Sequence, residues 1–295
     1  MQYTFGNYHP INNFMFFMGA IGMTMFINNP YFVMSSMLCA VCYYLVLNRN
    51  KSKKFLVFAF TTPFVISIIN ACMNPLGNTV LFTWLNNRAF TKESLIYGFI
   101  IGLNFMSVIL WFSCYNSIMT NDKFMYLFSK FAPSITLVLS MTLRLVPSFE
   151  KKIKTIIETR QSIGKSIHSD KYMDKINYSM EILSVLTSRA LEDSVITADS
   201  MRSRGYVASG RTNYIVYNKT TRDKINKIVF VILFILILPC MLTGGMSCEF
   251  IPRIILPQTN IVTYTALISF TIFLLIPTII ELAEEITWFI LKSKI

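Results

Sequence analysis

Apolar residues run in six long blocks divided by short polar punctuation. A helix needs about 20 mostly apolar residues to cross the hydrocarbon of a bilayer. On that measure residues 14–27, 31–47, 55–74 and 94–115 predict four spans in the first half. The first is short and stops at Asn28-Asn29-Pro30, a turn signal that closes a tight helical hairpin with the second. Two further blocks, 228–242 and 261–280, close the set, the first with Pro239 as a kink position and the second carrying Pro277. Glu281, Glu284 and Glu285 then lead to Trp288, Lys292 and Lys294, which predicts a separate C-terminal helix at the membrane interface, where Trp commonly anchors.

Between the fourth and fifth blocks the periodicity changes. Phe124, Leu127, Phe128 and Phe131 recur at helical spacing with Lys123 and Lys130 among them, the pattern of a helix lying along a membrane surface. Residues 135–146 are apolar but too few to span comfortably, and they end at Arg144-Leu145-Val146-Pro147 with a snorkelling arginine. Residues 150–224 then hold 14 of the 27 Lys/Arg and 9 of the 15 Asp/Glu. Each charge at a bilayer centre would cost about 2.5–3.5 kcal/mol, so this stretch lies outside the membrane. Its apolar residues still keep helical spacing: Ile153, Ile156, Ile157 and Ile163, then Ile176, Met180, Leu183, Leu186 and Ala190. Gly164 and Gly205 stand where helices commonly end, each with a basic residue in the preceding turn. Two helices are expected, 147–164 and 176–204, the second about 44 Å long at 1.5 Å per residue. Residues 166–174 join them.

The expected fold is therefore an all-α membrane protein with about six transmembrane helices and a cytoplasmic helical insert. The boundaries are 1–120 for four spans, 121–225 for interfacial and cytoplasmic helices, and 226–295 for two spans and a terminal interfacial helix. Composition agrees: 54% of residues are hydrophobic and 14% charged, against roughly 25% charged in soluble domains. The net charge of +12 follows the tendency of cytoplasmic loops to collect Lys and Arg, and Arg49, Lys51, Lys53 and Lys54 place their loop inside. Residues 75–93, with Arg88 and Lys92, fall outside, and both termini fall inside. The N-terminus has no basic residue before its apolar run and does not read as a cleaved signal. The cysteines at 39, 42, 72, 114, 240 and 248 read as small buried hydrophobes, and the Cys39/Cys42 pair has only His9 and His168 in the chain to support a metal.

Chemistry that is missing narrows the function. There is no phosphate-cradling G-x-x-x-x-G-K-[S/T], no H-E-x-x-H, no G-x-S-x-G and no paired acidic motif within a span. The first four spans hold almost no ionisable residue, which disfavours an ion or proton path. No cofactor is expected.

One ordered set of residues resembles a family. Ala190-Leu191-Glu192-Asp193 followed by Met201-Arg202-Ser203-Arg204-Gly205-Tyr206 is similar to the second signature of the transmembrane T component of energy-coupling factor (ECF) transporters, the EcfT/CbiQ family. Ser203-Arg204-Gly205 stands for the family's Ala-Arg-Gly. Upstream, Leu143-Arg144-Leu145-Val146-Pro147 and residues 158–164 resemble the family's Leu-Arg-Phe-Ile-Pro and its first Ala-Arg-Gly-like signature. Residues 78–82 and 91–98 resemble its outer loop and fourth span. The first triplet departs from the pattern: it reads Ser162-Ile163-Gly164, with Ile163 in the arginine's place. Either Arg160, one turn earlier, supplies the polar contact, or this end docks by apolar packing.

The resemblance implies a coupling subunit of the cell membrane that is not an enzyme. Two ABC-type ATPase subunits would dock on its cytoplasmic helices through Arg202, Ser203, Arg204 and Gly205, and through Arg160 and Gly164. A separate membrane S component would bind the vitamin or metal ion taken up. The bland alternative is that Arg202 and Arg204 only complement a helix dipole, worth about 0.3–1 kcal/mol. Another class of function is a membrane-anchored scaffold or regulator whose insert binds nucleic acid or anionic lipid. The insert's net charge of only +5, with signs alternating, fits a docking surface better than a polybasic arm, so nucleic acid is not expected as a partner.

Overall fold

In the computed structural model, the described residues are 5–48, 52–74, 77, 79–84, 88–129, 131–164, 172–206, 217, 220–246, 248 and 260–293. Arg49 and Lys51 of the basic loop, Asn78, Lys130, residues 166–171 of the expected linker, most of the loop 243–260 and Lys294 lie outside them. A 3-10 turn, Phe5–Asn7, precedes α1 (Pro10–Phe26), α2 (Pro30–Leu47) and α3 (Ser52–Met73). Two strands follow, β1 (Val80–Trp84) and β2 (Arg88–Thr91), then α4 (Lys92–Ile118), α5 (Asn121–Ser129), α6 (Pro133–Ser162), α7 (Tyr172–Ser203), α8 (Thr221–Leu242) and α9 (Ile261–Ser293). The chain is an all-α membrane protein. Among the described residues the exception is an antiparallel hairpin, β1 with β2, within the stretch expected only as a loop.

Among the described residues five helices, α2, α3, α4, α8 and α9, are long and apolar enough to cross a membrane. The expected sixth, α1, has 17 residues, or about 26 Å, just under the hydrocarbon thickness. Phe58, Phe60, Phe64, Ile68 and Ile69 on α3 are all more than half exposed, as a lipid-facing wall requires when the surrounding solvent is itself apolar.

The described chain divides into two compact units: Met1–Phe124 with Tyr217–Ile295, and Met125–Val216. In the first, Asn28-Asn29-Pro30 forms the expected turn: the Asn29 side chain accepts from the Tyr31 N–H, and Pro30 opens α2. The tight hairpin beyond that turn does not form. Instead α1 packs mainly on α4 and α8, and α2 on α4 and α9. Aromatic volume explains the splay. Phe16 of α1 meets Trp111 of α4, Phe230 of α8 and Phe273 of α9 with ring centroids 5.2–5.7 Å apart, while Phe32 of α2 meets Phe270 at 5.7 Å. These rings need partners on three further helices, more than a two-helix pair offers.

Helices α3 and α4 approach closest where side chains are absent. A Cβ at Gly102 would stand 2.7 Å from the Pro63 Cα, and one at Gly98 2.9 Å from the Ser67 Cα. The two glycines, four residues apart, make the small-residue seam by which membrane helices reach backbone contact. Ser67 Oγ donates to the Leu95 carbonyl across this seam at 2.7 Å.

Two expected breaks are absent. Pro147, expected to start a helix, lies inside α6, which runs 30 residues without interruption. Proline removes a single backbone donor, and the long flanking stretches carry the helix through it. Pro277 behaves alike: α9 continues through Glu281, Glu284 and Glu285 to Ser293 as one helix of 33 residues, so no separate interfacial helix exists. Span five starts at Thr221, seven residues before the apolar block, because Thr220 and Asp223 form a capping box. Lys123, expected on a surface helix, donates to the Gly6 carbonyl (2.6 Å) and to the Ile118 carbonyl that ends α4 (2.9 Å). Burial holds its ammonium below the usual lysine pKa.

Candidate docking site on the charged helices

The second unit is built on α6 and α7. Lys152, Ile156 and Arg160 recur every four residues on α6 and so share one face. Lys152 pairs with Asp193, and Arg160 pairs with Glu181 and lies over the Tyr178 ring at 5.2 Å. Later residues of α6 meet earlier ones of α7, so the helices run antiparallel. Ile156 and Ile182 are the residues of these two helices that are buried. Two ion pairs, one on either side of Ile156 along α6, tie the helices together.

Both helices end alike. Gly205 has φ +73° and Gly164 φ +81°, the left-handed region that glycine enters without a Cβ penalty. The Gly205 N–H donates to the Arg202 carbonyl (3.0 Å) and the Tyr206 N–H to the Met201 carbonyl (3.1 Å), the bond pair of a Schellman cap. The Gly164 N–H donates in the same way to the Gln161 carbonyl at 3.0 Å. Each helix therefore stops on a fixed turn and holds its last residues in a defined direction.

The six sequence-expected positions do not form one cluster. Arg202, Ser203, Arg204 and Gly205 are exposed at the end of α7, and among the described residues no acidic side chain pairs with either arginine. The Ser203 hydroxyl donates back to the Ser200 carbonyl at 2.9 Å. Arg160 and Gly164 lie at the end of α6, which is opposite the first half of α7. Arg160 sits against Glu181, 23 residues before Arg204, so the two ends are roughly 35 Å apart along the helix. The ends also differ in kind. Arg160 is turned into the helix pair, its side chain 16% exposed, whereas Ile163 beside it is 71% exposed.

Two features escaped sequence reasoning. Asp223, counted there among the charges of the insert, is buried in the first unit. It accepts from the His9 N–H (3.0 Å), Asn12 Nδ2 (3.3 Å) and the Thr220 N–H and hydroxyl (2.9 and 2.7 Å). The spacing Thr220-x-x-Asp223 was the signal that could have found it. The second feature joins two stretches that were singled out separately. Glu93, in the first turn of α4, accepts from the Thr79 hydroxyl at 2.8 Å, and Thr79 also receives the Lys92 N–H on its carbonyl at 3.1 Å. A carboxylate there complements the positive end of the helix.

No family model matches the chain. Over 105 residues it is 32% identical to the energy-coupling factor transporter transmembrane protein EcfT of Lactobacillus helveticus (strain DPC 4571). That likeness spans 35% of this chain and 38% of the relative's length, a local kinship between this membrane protein and a transporter component.

Proposed function

We propose that this chain is the transmembrane coupling subunit of an ECF-type importer of the cell membrane. In this reading α6 and α7 lie in the cytoplasm, two ABC-type ATPase subunits dock on their ends, and closure of the ATPases on ATP pushes the helices. The apolar first unit passes that displacement to a substrate-binding membrane subunit, which selects a vitamin or a metal ion. The chain itself neither hydrolyses ATP nor selects the solute.

The observation that carries the reading is the pair of exposed helix ends, each closed by a positive-φ glycine, the second with two arginines that no acidic side chain among the described residues pairs. A guanidinium suits a groove lined with carboxylates or carbonyls, because its planar fork donates two parallel hydrogen bonds. The tight turn at Gly205 removes the following chain from the contact. The stretch of identity with a protein named EcfT supports the same reading.

Co-purification tests it. P-loop ATPases should accompany the tagged wild-type chain, and Arg204→Glu should lose them while still inserting and folding. Removing one partner of a desolvated charge pair costs about 2–5 kcal/mol, or at least a thirtyfold loss of affinity. If Arg204→Glu retains its ATPases and supports uptake at the wild-type rate, the arginine is only complementing the helix dipole. Recovery of nucleic acid or anionic lipid in place of ATPases would support a membrane-anchored scaffold instead.

A further inference from the structure

The first helix end poses a chemical question that the second does not. Its turn is the same, but the residue at the tip is Ile163, and the last cation of α6, Arg160, is already engaged. The Arg160 guanidinium pairs with Glu181, packs over Tyr178 at 5.2 Å, and has Nη1 buried. A planar cation held by a carboxylate at its edge and an aromatic face beneath it is fixed in direction, and releasing it would forfeit both contacts. The four described residues after it, Gln161, Ser162, Ile163 and Gly164, carry no charge and are all exposed. The α7 end by contrast presents Arg202 and Arg204.

We propose that Arg160 is a positioning residue that clasps α6 to α7, and that the α6 end meets its partner through Ile163, so the two helix ends enter sockets of unlike chemistry. The proposal rests on the coupling reading for the identity of the partner, but the clasp itself does not. Lys152 with Asp193 supplies a second tie, twelve residues along α7 from Glu181, or roughly 18 Å. Two ties on either side of Ile156 and Ile182 resist both sliding and scissoring of the pair, as transmission of a push requires. The socket for Ile163 would be apolar and that for Arg202 and Arg204 acidic. Two copies of one socket would serve this chain poorly, and like partners would bind its ends with unequal strength.

The test separates clasp from contact. Nitroxide labels are placed at Glu158→Cys and Ser179→Cys, both exposed, in a full-length chain whose native cysteines are replaced. Arg160→Glu and Glu181→Arg, each alone, should lower the population at the wild-type label distance about five- to tenfold, the scale of a partly exposed ion pair plus one cation–π contact. The double swap Arg160→Glu/Glu181→Arg should restore both the distance and ATPase capture. Ile163→Asp should keep the distance and lose capture by about tenfold. If Arg160→Glu leaves the distance unchanged, there is no clasp. If the double swap restores the distance but not capture, the guanidinium of Arg160 is itself the docking group and the role given to Ile163 is wrong. If the distances respond as stated and the wild-type chain captures no ATPase, the clasp stands and both the coupling reading and the Ile163 contact fall.

Discussion

Gly205 has nothing within 4 Å of where a Cβ would stand, so a side chain there is opposed by backbone geometry alone. Holding an L-residue at φ +73° costs about 1 kcal/mol. Gly205→Ala should therefore loosen the last turn of α7. Amide exchange at residues 201–203 should quicken about fivefold, the rate equivalent of 1 kcal/mol, and Gly205→Asn, whose side chain tolerates this region, should do less. Equal exchange in all three proteins would mean that the cap does not hold the end. The glycine was legible in the sequence because a cap is local: a basic turn, then Gly, then an aromatic. Arg160 was not legible, since Glu181 and Tyr178 lie about twenty residues away on another helix and only the pairing of α6 with α7 brings them to it. Asp223 escaped for the opposite reason. Its charge was visible, but its partners His9 and Asn12 stand at the other end of the chain.

Among helices, the seam between α3 and α4 makes the clearest demand. Gly102→Leu would drive a side chain into the Pro63 backbone, which cannot swing aside as a side chain can, and overpacking of this kind costs about 1–3 kcal/mol. Thermal melts of the detergent-purified protein should show a lower midpoint for Gly102→Leu. Gly22→Leu, where an added Cβ meets nothing within 4 Å, should melt like wild type and so controls for side-chain size alone. An unchanged midpoint at Gly102 would mean that the helices separate without penalty. The spans themselves were readable from composition, because lipid demands apolar residues all round a helix. Helix continuity through Pro147 and Pro277 was not, because one lost hydrogen bond sets a cost and the length of helix on either side decides whether it is accepted. The β1–β2 hairpin was hidden by its brevity.

At the scale of the whole chain, one unit is assembled from both of its ends and the other is built on α6 and α7. The coupling role requires these helices in the cytoplasm. A cysteine introduced at Ser188, exposed on α7, in a background without native cysteines, should resist an impermeant maleimide in intact cells and react once they are opened. Efficient labelling of intact cells would reverse the orientation and remove the coupling role with it.

The contact of the His9 backbone with Asp223 crosses 214 positions of sequence. At 5–20 residues per second, roughly 10–40 s of synthesis pass between the two. The ribosome therefore delivers a short first helix, with Asn12 and Asn13 near its start, long before the carboxylate that anchors that end has been made. For that interval α1 depends on lipid, on the translocon or on water at the bilayer surface.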